Sequence, residues 1–189
     1  MSGLETGFIL DRQWFGLQGE MERTKRPALL ALARVLADTQ TSYAIIGGVA
    51  LQTHQAEPRT TLDIDVAVGA YAHIPRGPLE AAGFVRTGRS PHPENWVGPA
   101  GTPVQFTDDP ALAGAILRAE AIELETVRIR VISRTDLLHE KFRSASDAAR
   151  RRSKRLQDLA DVQALLESTP ILEQALTPEE RGLLDRLPK

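Results

Sequence analysis

The chain has 189 residues, of which 42% are hydrophobic and 25% are charged, and these proportions favour one sizeable globular core over a disordered chain. No stretch approaches the roughly 20 apolar residues of a membrane-spanning helix and no leader pattern opens the chain, so we expect a soluble, cytoplasmic protein with no membrane partner. Cysteine is absent, which excludes disulfides and thiolate chemistry, and the net charge of −2 limits any attraction for nucleic acid to a local surface.

The N-terminal third predicts an arm, a helix, a strand and a glycine turn. Residues 1–20 are rich in glycine without a sustained period, so they are predicted as a poorly specified arm, and an amphipathic helix follows over about 21–37. A β-forming run at 43–46 ends at Gly47 and Gly48, after which the sequence suits a helix.

The segment 61–68 predicts a strand with one apolar and one acidic face. Its apolar face is Leu62, Ile64, Val66 and Val68. Asp63 and Asp65 share the other face with Cα atoms roughly 6.5 to 7 Å apart, so their carboxylates can converge on divalent ions. Such hard oxygens suit Mg²⁺, or Mn²⁺ in its place, and two aspartates beside buried aliphatic residues need a compensating positive charge.

The glycine pair supplies a second half of the same pattern. A turn without side chains lets backbone N–H groups approach a triphosphate at a helix N-terminus. Taken alone, Gly47-Gly48 is also compatible with simple packing, and a lone Asp-x-Asp with a solvated strand face. The order strand, Gly-Gly, helix, Asp-x-Asp strand is a stronger indication of a site for metal and nucleotide.

The remaining elements predict an α/β (α+β) fold with a mixed β-sheet flanked by helices and a C-terminal helical region. Further strands are predicted at 84–87, 95–97, 103–107 and 126–132, and helices at 75–82, at 110–119, and from 133 to about 167 with a break near 144–153. A capping box at 177–180 begins a last helix. The predicted domains are the arm at 1–20, a core at 21–132, and C-terminal helices at 133–189 that pack on the core.

These motifs resemble a known superfamily. The runs Ile46-Gly47-Gly48-Val49-Ala50-Leu51 and Arg59-Thr60-Thr61-Leu62-Asp63-Ile64-Asp65-Val66 resemble the nucleotidyltransferase signature. They are most similar to the AbiEii/AbiGii toxin family of bacterial abortive-infection and toxin–antitoxin systems. Farther on, 131–141 resembles the family's strand and lysine-bearing helix, and 158–166 its closing acidic helix. The resemblance covers about 42–167 and is most specific at the Gly-Gly and Asp-x-Asp motifs.

The resemblance implies a nucleotidyltransferase-like core and an Mg²⁺-dependent transfer of a nucleoside monophosphate from a nucleoside triphosphate to a hydroxyl of RNA, such as tRNA, or of protein. It implies a toxin role and a cognate antitoxin. Asp63 and Asp65 would bind metal, and Lys141 would join them as a catalytic residue. The implied nucleotide-binding residues are Gly47, Gly48, Arg59, Thr61, Lys141 and Asp161, of which Asp161 would orient Lys141.

A basic cluster offers a candidate RNA contact. It comprises Arg150, Arg151, Arg152, Lys154 and Arg155. Five cations in six positions would attract phosphates on one face of a helix. The alternative interpretation is an ordinary solvated helix face.

The sequence departs from the family at two positions. The third carboxylate expected on a neighbouring strand falls on Gln105, and Gln157 replaces a basic residue before Asp158. An amide oxygen can bind Mg²⁺ but cannot act as a base, although Asp108 would reach the site if its strand ended early. The alternatives to an active enzyme are therefore a degenerate nucleotidyltransferase that binds nucleotide or a partner without turnover, and an interaction protein that uses the basic cluster on nucleic acid.

Overall fold

A computed structural model describes residues 2–20, 23–55, 57–89 and 93–186 of the chain. Its α-helices are α1 (Gly3–Gly16), α2 (Arg26–Asp38), α3 (Gly47–His54), α4 (Arg76–Ala81), α5 (Ala113–Leu117), α6 (Arg134–Ser146), α7 (Arg152–Ser168) and α8 (Pro178–Leu184). Its strands are β1 (Tyr43–Ile46), β2 (Ile64–Val68), β3 (Val85–Arg89), β4 (Glu94–Gly98), β5 (Thr102–Thr107), β6 (Glu120–Leu124) and β7 (Val127–Val131). Among these residues, no helix is long and apolar enough to cross a bilayer.

The seven strands form one mixed sheet in the order β3-β4-β5-β2-β1-β7-β6. β2 lies at its centre, antiparallel to β1 and parallel to β5. β1 in turn runs parallel to β7, and the outer pairs β3–β4 and β6–β7 are antiparallel. The predicted mixed sheet flanked by helices is confirmed.

Apolar side chains on one face of β2 anchor the sheet in the core. Ile64, Val66 and Val68 are buried, as their alternation predicts. The predicted apolar stripe of α2 is buried as well, and its members are Leu29, Leu32, Ala33 and Leu36. On the neighbouring strands, the rings of Trp96 and Phe106 meet edge to face with centroids 6.5 Å apart.

The N-terminal segment predicted as an arm contains a regular helix. Ser2 and Glu5 form a capping box at the start of α1, and Leu4, Phe8 and Phe15 are buried. The glycines that hide the helical period in the sequence permit close packing, because a Cβ atom at Gly3 would overlap carbonyl oxygens of α3. Residues 3–16 are therefore an element of the first folded unit.

Two compact units divide the chain, Met1–Ser133 and Arg134–Lys189. The second is helical. The predicted break separates α6 from α7, which pack against each other, and Thr177 and Glu180 form the predicted capping box of α8. The first unit contains one strand that was not predicted, β6, whose residues are mostly exposed. Its pairing with β7 holds it at the sheet edge despite its two glutamates.

Candidate active site

The glycine turn and the Asp-x-Asp motif are in direct contact. Gly47 adopts a φ of +62°, and a Cβ atom there would overlap Oδ2 of Asp65. A Cβ atom at Gly48 would overlap the Thr61 hydroxyl. Both positions therefore need glycine, one of them for its backbone conformation and both for the close approach of a polar side chain. The two motifs, predicted as halves of one pattern, lie side by side at the N-terminus of α3.

Asp65 and Asp63 lie at the start of β2 with different backbone surroundings. Asp65 pairs in register with Ile46, the last residue of β1. Asp63 precedes the strand. Because β1 ends at Ile46 and the chain turns into α3 at Gly47, residues 61–63 lie outside the β1–β2 ladder. The predicted strand 61–68 thus begins three residues late. A hydrogen bond of 2.9 Å from the Thr61 hydroxyl to Asp63 Oδ1 orders this segment instead.

Gln105 stands where a third carboxylate was expected. It is the in-register partner of Asp65 on β5, and Asn95 is its own partner on β4. Asp108 lies about 10 Å farther along the chain and accepts a hydrogen bond from the Tyr71 backbone at 3.4 Å, so it does not replace Gln105. Within the described ranges, no three Asp, Glu, His or Cys side chains cluster as metal ligands.

The donor set fits a hard divalent cation that shares its ligands with a substrate. Asp63 and Asp65 are both half-buried, and the Asp65 carboxylate lies directly against the glycine turn. Mg²⁺ is commonly held by one or two carboxylates while waters and substrate phosphates complete its shell. The arrangement suits such shared coordination better than a closed cage of protein ligands.

Arg59 and Thr61 lie on the connection between α3 and β2. The Arg59 carbonyl accepts a hydrogen bond of 2.8 Å from the Gln52 side chain on α3, and its guanidinium donates to the Thr60 carbonyl at 3.2 Å. His54, at the end of α3, forms a hydrogen bond of 2.8 Å with the Ile132 carbonyl. These contacts hold the connection that contains Asp63 and leads into β2, which contains Asp65.

Asp11 and Lys25 form a buried ion pair that the sequence analysis missed. Lys25 Nζ lies 2.7 Å from Asp11 Oδ2, and the two side chains are 1% and 0% exposed. Burial raises the pKa of Asp11 and lowers the pKa of Lys25, while the charge of each partner opposes the shift of the other. A signal existed, because Leu4, Phe8, Asp11 and Phe15 follow a helical spacing.

Lys141 lies inside the helical unit, engaged by two acids. Its ammonium is 2.8 Å from Asp158 Oδ1 and 2.8 Å from Asp161 Oδ2, and its side chain is 6% exposed. Burial favours the neutral amine, but the two carboxylates outweigh it and raise the pKa of Lys141. Asp161 contacts Lys141 directly, and its role in orienting Lys141 at a nucleotide site stays a prediction. Gln157 donates to Asp161 at 3.2 Å, so the amide supports this cluster where the family has a basic residue.

The basic cluster at 150–155 is divided between internal bonds and exposed charge. Arg150 donates to Asp158 at 3.1 Å, and Arg155 donates to the Ala145 carbonyl at 2.7 Å. The other three cations, Arg151, Arg152 and Lys154, are exposed at the start of α7. Cations at a helix N-terminus oppose the helix dipole, so this placement reduces the stability of α7 and concentrates positive potential there.

Comparison with known proteins supports the resemblance. The profile of the family described as "Nucleotidyl transferase AbiEii toxin, Type IV TA system" matches residues 98–185. That range includes Gln105, Lys141 and Asp161 but begins after the glycine turn and the Asp-x-Asp motif. No curated protein matches the sequence.

Solved structures share the fold at low sequence identity. An antigenic nucleotidyltransferase-like protein from Paracoccidioides brasiliensis is 18% identical with a TM-score of 0.55, over 84% of this chain and 88% of that one. ANT(2″)-Ia in complex with adenylyl-2″-tobramycin is 15% identical with a TM-score of 0.53, over 86% and 99%. JHP933 from Helicobacter pylori is 16% identical with a TM-score of 0.53, over 84% and 72%. The fold is that of the nucleotidyltransferases.

Proposed function

We propose that this chain, an AbiEii-like nucleotidyltransferase, transfers a nucleoside monophosphate to a hydroxyl of RNA, with tRNA as the candidate, or of protein, and does so as the toxin of a toxin–antitoxin or abortive-infection pair. The observation that carries the proposal is the contact between Gly47 and the Asp65 carboxylate, beside the Asp63 carboxylate held by Thr61. It brings together a glycine turn at a helix N-terminus and two carboxylates that can hold a metal.

The nucleotide end of the site would rest on the start of α3. Gly47 and Gly48 begin α3, and the dipole at a helix N-terminus favours the negative charge of a triphosphate. Arg59 and Thr61 lie on the adjoining connection, so we assign them to nucleotide binding as well. The resemblance assigns Lys141 to the triphosphate. The 2.8 Å contact between Asp161 and Lys141 supports the assignment of Asp161 to the orientation of that ammonium.

Asp63 and Asp65 would hold Mg²⁺, or Mn²⁺ in its place, with the Gln105 amide oxygen as an additional neutral ligand. When bound, the metal supplies positive charge that stabilises the phosphates during transfer. The acceptor oxygen forms a bond to the α-phosphorus, the bond to the bridging oxygen breaks, and pyrophosphate leaves. The hydroxyl proton needs a base. Gln105 cannot accept it, so we assign that task to the neighbouring Asp65 carboxylate.

The exposed cations at the start of α7 would contact the acceptor RNA. Arg151, Arg152 and Lys154 have no carboxylate partner among the described residues, and their charges are costly at this end of a helix. An RNA phosphate backbone would offset that cost. A toxin that acts on tRNA would work in the cytoplasm, with an antitoxin as its partner.

A second candidate function is nucleotide binding without turnover. The observation that favours it is Gln105, which occupies the register position beside Asp65 where a third carboxylate was expected. Such a protein would retain nucleotide and metal affinity but would transfer nothing to an acceptor.

Incubation with each α-³²P-labelled nucleoside triphosphate, Mg²⁺ and total tRNA separates the two functions. The proposal expects label on RNA, or on a protein substrate added in its place, that disappears in Asp63→Asn/Asp65→Asn. Asp108→Asn is the matched control, because that aspartate faces the Tyr71 backbone instead of the site. Nucleotide binding without any transferred label would support the second function.

A further inference from the structure

The Asp11–Lys25 pair contacts the segment that carries the candidate metal ligands. Besides binding Asp11, the Lys25 ammonium donates a hydrogen bond of 3.0 Å to the Thr61 carbonyl. Thr61 uses its hydroxyl, 2.9 Å from Asp63 Oδ1, to hold the first aspartate of the motif. A continuous chain of hydrogen bonds therefore runs from α1, through Lys25 and Thr61, to Asp63.

Burial makes this chain of contacts rigid. Lys25 and Asp11 are almost fully excluded from solvent, and Asp11 also accepts a hydrogen bond from the Lys25 backbone at 3.3 Å. The Phe8 ring lies 5.5 Å from the Lys25 ammonium. An ammonium with three donors is satisfied here by two carboxylate oxygens and one carbonyl, so its position is strongly determined.

The same helix supports the other half of the site. α1 packs against α3, where a Cβ atom at Gly7 would overlap the Gln52 side chain. Gln52 donates to the Arg59 carbonyl at 2.8 Å, two residues before Thr61. The N-terminal helix thus reaches the 59–63 segment by one hydrogen-bonded route through Lys25 and by one packing contact, with Gln52 of α3.

We propose that Lys25 is a positioning residue for the candidate metal site, and that α1, through Asp11, holds Lys25 in place to fix Thr61 and Asp63. The inference rests on the proposed function, because it assigns Asp63 to metal binding. A purely structural pair would stabilise the fold alone. A positioning pair also sets metal affinity, since partners of ligating carboxylates commonly change that affinity by roughly 10- to 100-fold.

The test measures Mn²⁺ binding by electron paramagnetic resonance and the thermal midpoint without metal, both on the full chain. Asp11→Leu/Lys25→Met replaces the pair by apolar side chains and leaves no unpaired buried charge, so the fold should persist. We expect its Mn²⁺ affinity to fall by about tenfold or more. Arg26→Met is the matched control: Arg26 neighbours Lys25 but pairs with exposed Glu125 at 2.6 Å, so its loss should leave Mn²⁺ binding unchanged.

A milder variant tests the last link even if the double variant does not fold. Thr61→Val removes the hydroxyl that holds Asp63 but keeps the shape, and we expect weaker Mn²⁺ binding with nearly the same thermal midpoint, whereas Thr61→Ser should bind normally. Wild-type affinity in Thr61→Val, or in a folded Asp11→Leu/Lys25→Met, would overturn this inference alone. An unmodified protein that binds no Mn²⁺ would overturn the proposed metal site and this inference together.

Discussion

The Asp65 carboxylate has a glycine backbone on one side and an amide on the other. Gly47 turns beneath it, and Gln105 stands beside it in register on β5. Two negative charges already share this site, and a third would increase their repulsion in the protein without metal while adding a charged ligand for a divalent ion. A glutamine at position 105 therefore favours stability of the metal-free protein, whereas a glutamate there would favour affinity for a divalent metal.

Gln105→Glu should strengthen divalent metal binding. We expect roughly tenfold tighter Mn²⁺ binding, because affinity at such sites follows the number of charged ligands. The thermal midpoint without metal should fall, because a third carboxylate repels Asp65. Titration of Mn²⁺ checks the first effect. Asn95→Asp, one strand farther from Asp65, is the control, and equal affinities in the two variants would contradict a ligand role for position 105.

Lys141→Met should destabilise the protein strongly. Without the ammonium, the buried carboxylates of Asp158 and Asp161 repel each other. We expect a loss of about 3 kcal/mol in the free energy of unfolding. Urea unfolding of the full chain measures it. Lys154→Met removes an exposed cation from the same unit and should change stability little, so comparable losses in the two variants would argue against the buried cluster.

The first turn of α7 carries positive charges, which destabilise a helix N-terminus. Arg152 and Lys154 occupy its first turn, no side chain caps it at Arg151, and no acid stands in that turn. Since a helix N-terminus carries partial positive charge, these cations raise the free energy of the folded helix. A conflict between local stability and sequence is typical of a functional surface, and it supports the RNA contact proposed for α7.

Arg152→Glu/Lys154→Glu should therefore separate stability from RNA affinity. We expect a gain of about 1 kcal/mol in the free energy of unfolding, because acids favour a helix N-terminus. Affinity for tRNA, measured by fluorescence anisotropy at fixed salt, should fall by about tenfold. Arg12→Glu/Arg34→Glu makes the same change in net charge on other exposed helix positions, and an equal loss of RNA affinity there would refute a role for α7.

Elements with a clear period were predictable, and elements held by tertiary contacts were not. β1, the buried face of β2 and the stripe of α2 follow from the sequence pattern, since each buries an apolar set. α1 was missed because Gly3 and Gly7 obscure its period, although close packing on α3 requires them. β6 was missed because pairing with β7 overrides the low strand propensity of its glutamates.

At the scale of the whole molecule, the predicted site residues fall in both compact units. The unit Met1–Ser133 carries the glycine turn, both aspartates and Gln105, and the unit Arg134–Lys189 carries Lys141 and Asp161. The sequence predicted these residues through motif and resemblance. It did not reveal the Asp11–Lys25 pair, because its members are 14 positions apart in the sequence and meet only in the folded chain.

The stability of the whole chain should depend on the ionised state of Glu94. This glutamate is fully buried on β4 and accepts hydrogen bonds from Arg76, Arg86 and Trp96. Burial by itself raises its pKa, but the two arginines and the indole N–H outweigh burial and lower the pKa below 4.5. Ionised Glu94 therefore stabilises the fold above the unfolded pKa, and this contribution is lost as pH falls through the folded pKa.

Glu94→Gln should cost about 2 kcal/mol in the free energy of unfolding near pH 7, because it removes charged hydrogen bonds. The difference from the unmodified protein should shrink as the pH falls from the unfolded pKa of glutamate through the lower folded pKa, where the wild-type carboxyl takes up its proton. Urea unfolding across this range checks the trend. A constant difference at every pH would show that the charge of Glu94 contributes nothing.

The fate of the two ends of the triphosphate tests the central claim most directly. Parallel reactions with α-³²P- and γ-³²P-labelled nucleoside triphosphate, Mg²⁺ and tRNA or protein acceptor follow the nucleotide and the leaving group. The account predicts α-label on the acceptor and γ-label in pyrophosphate, both abolished in Asp63→Asn/Asp65→Asn. Transfer of γ-label to the acceptor, or α-label transfer that survives in that variant, would contradict it.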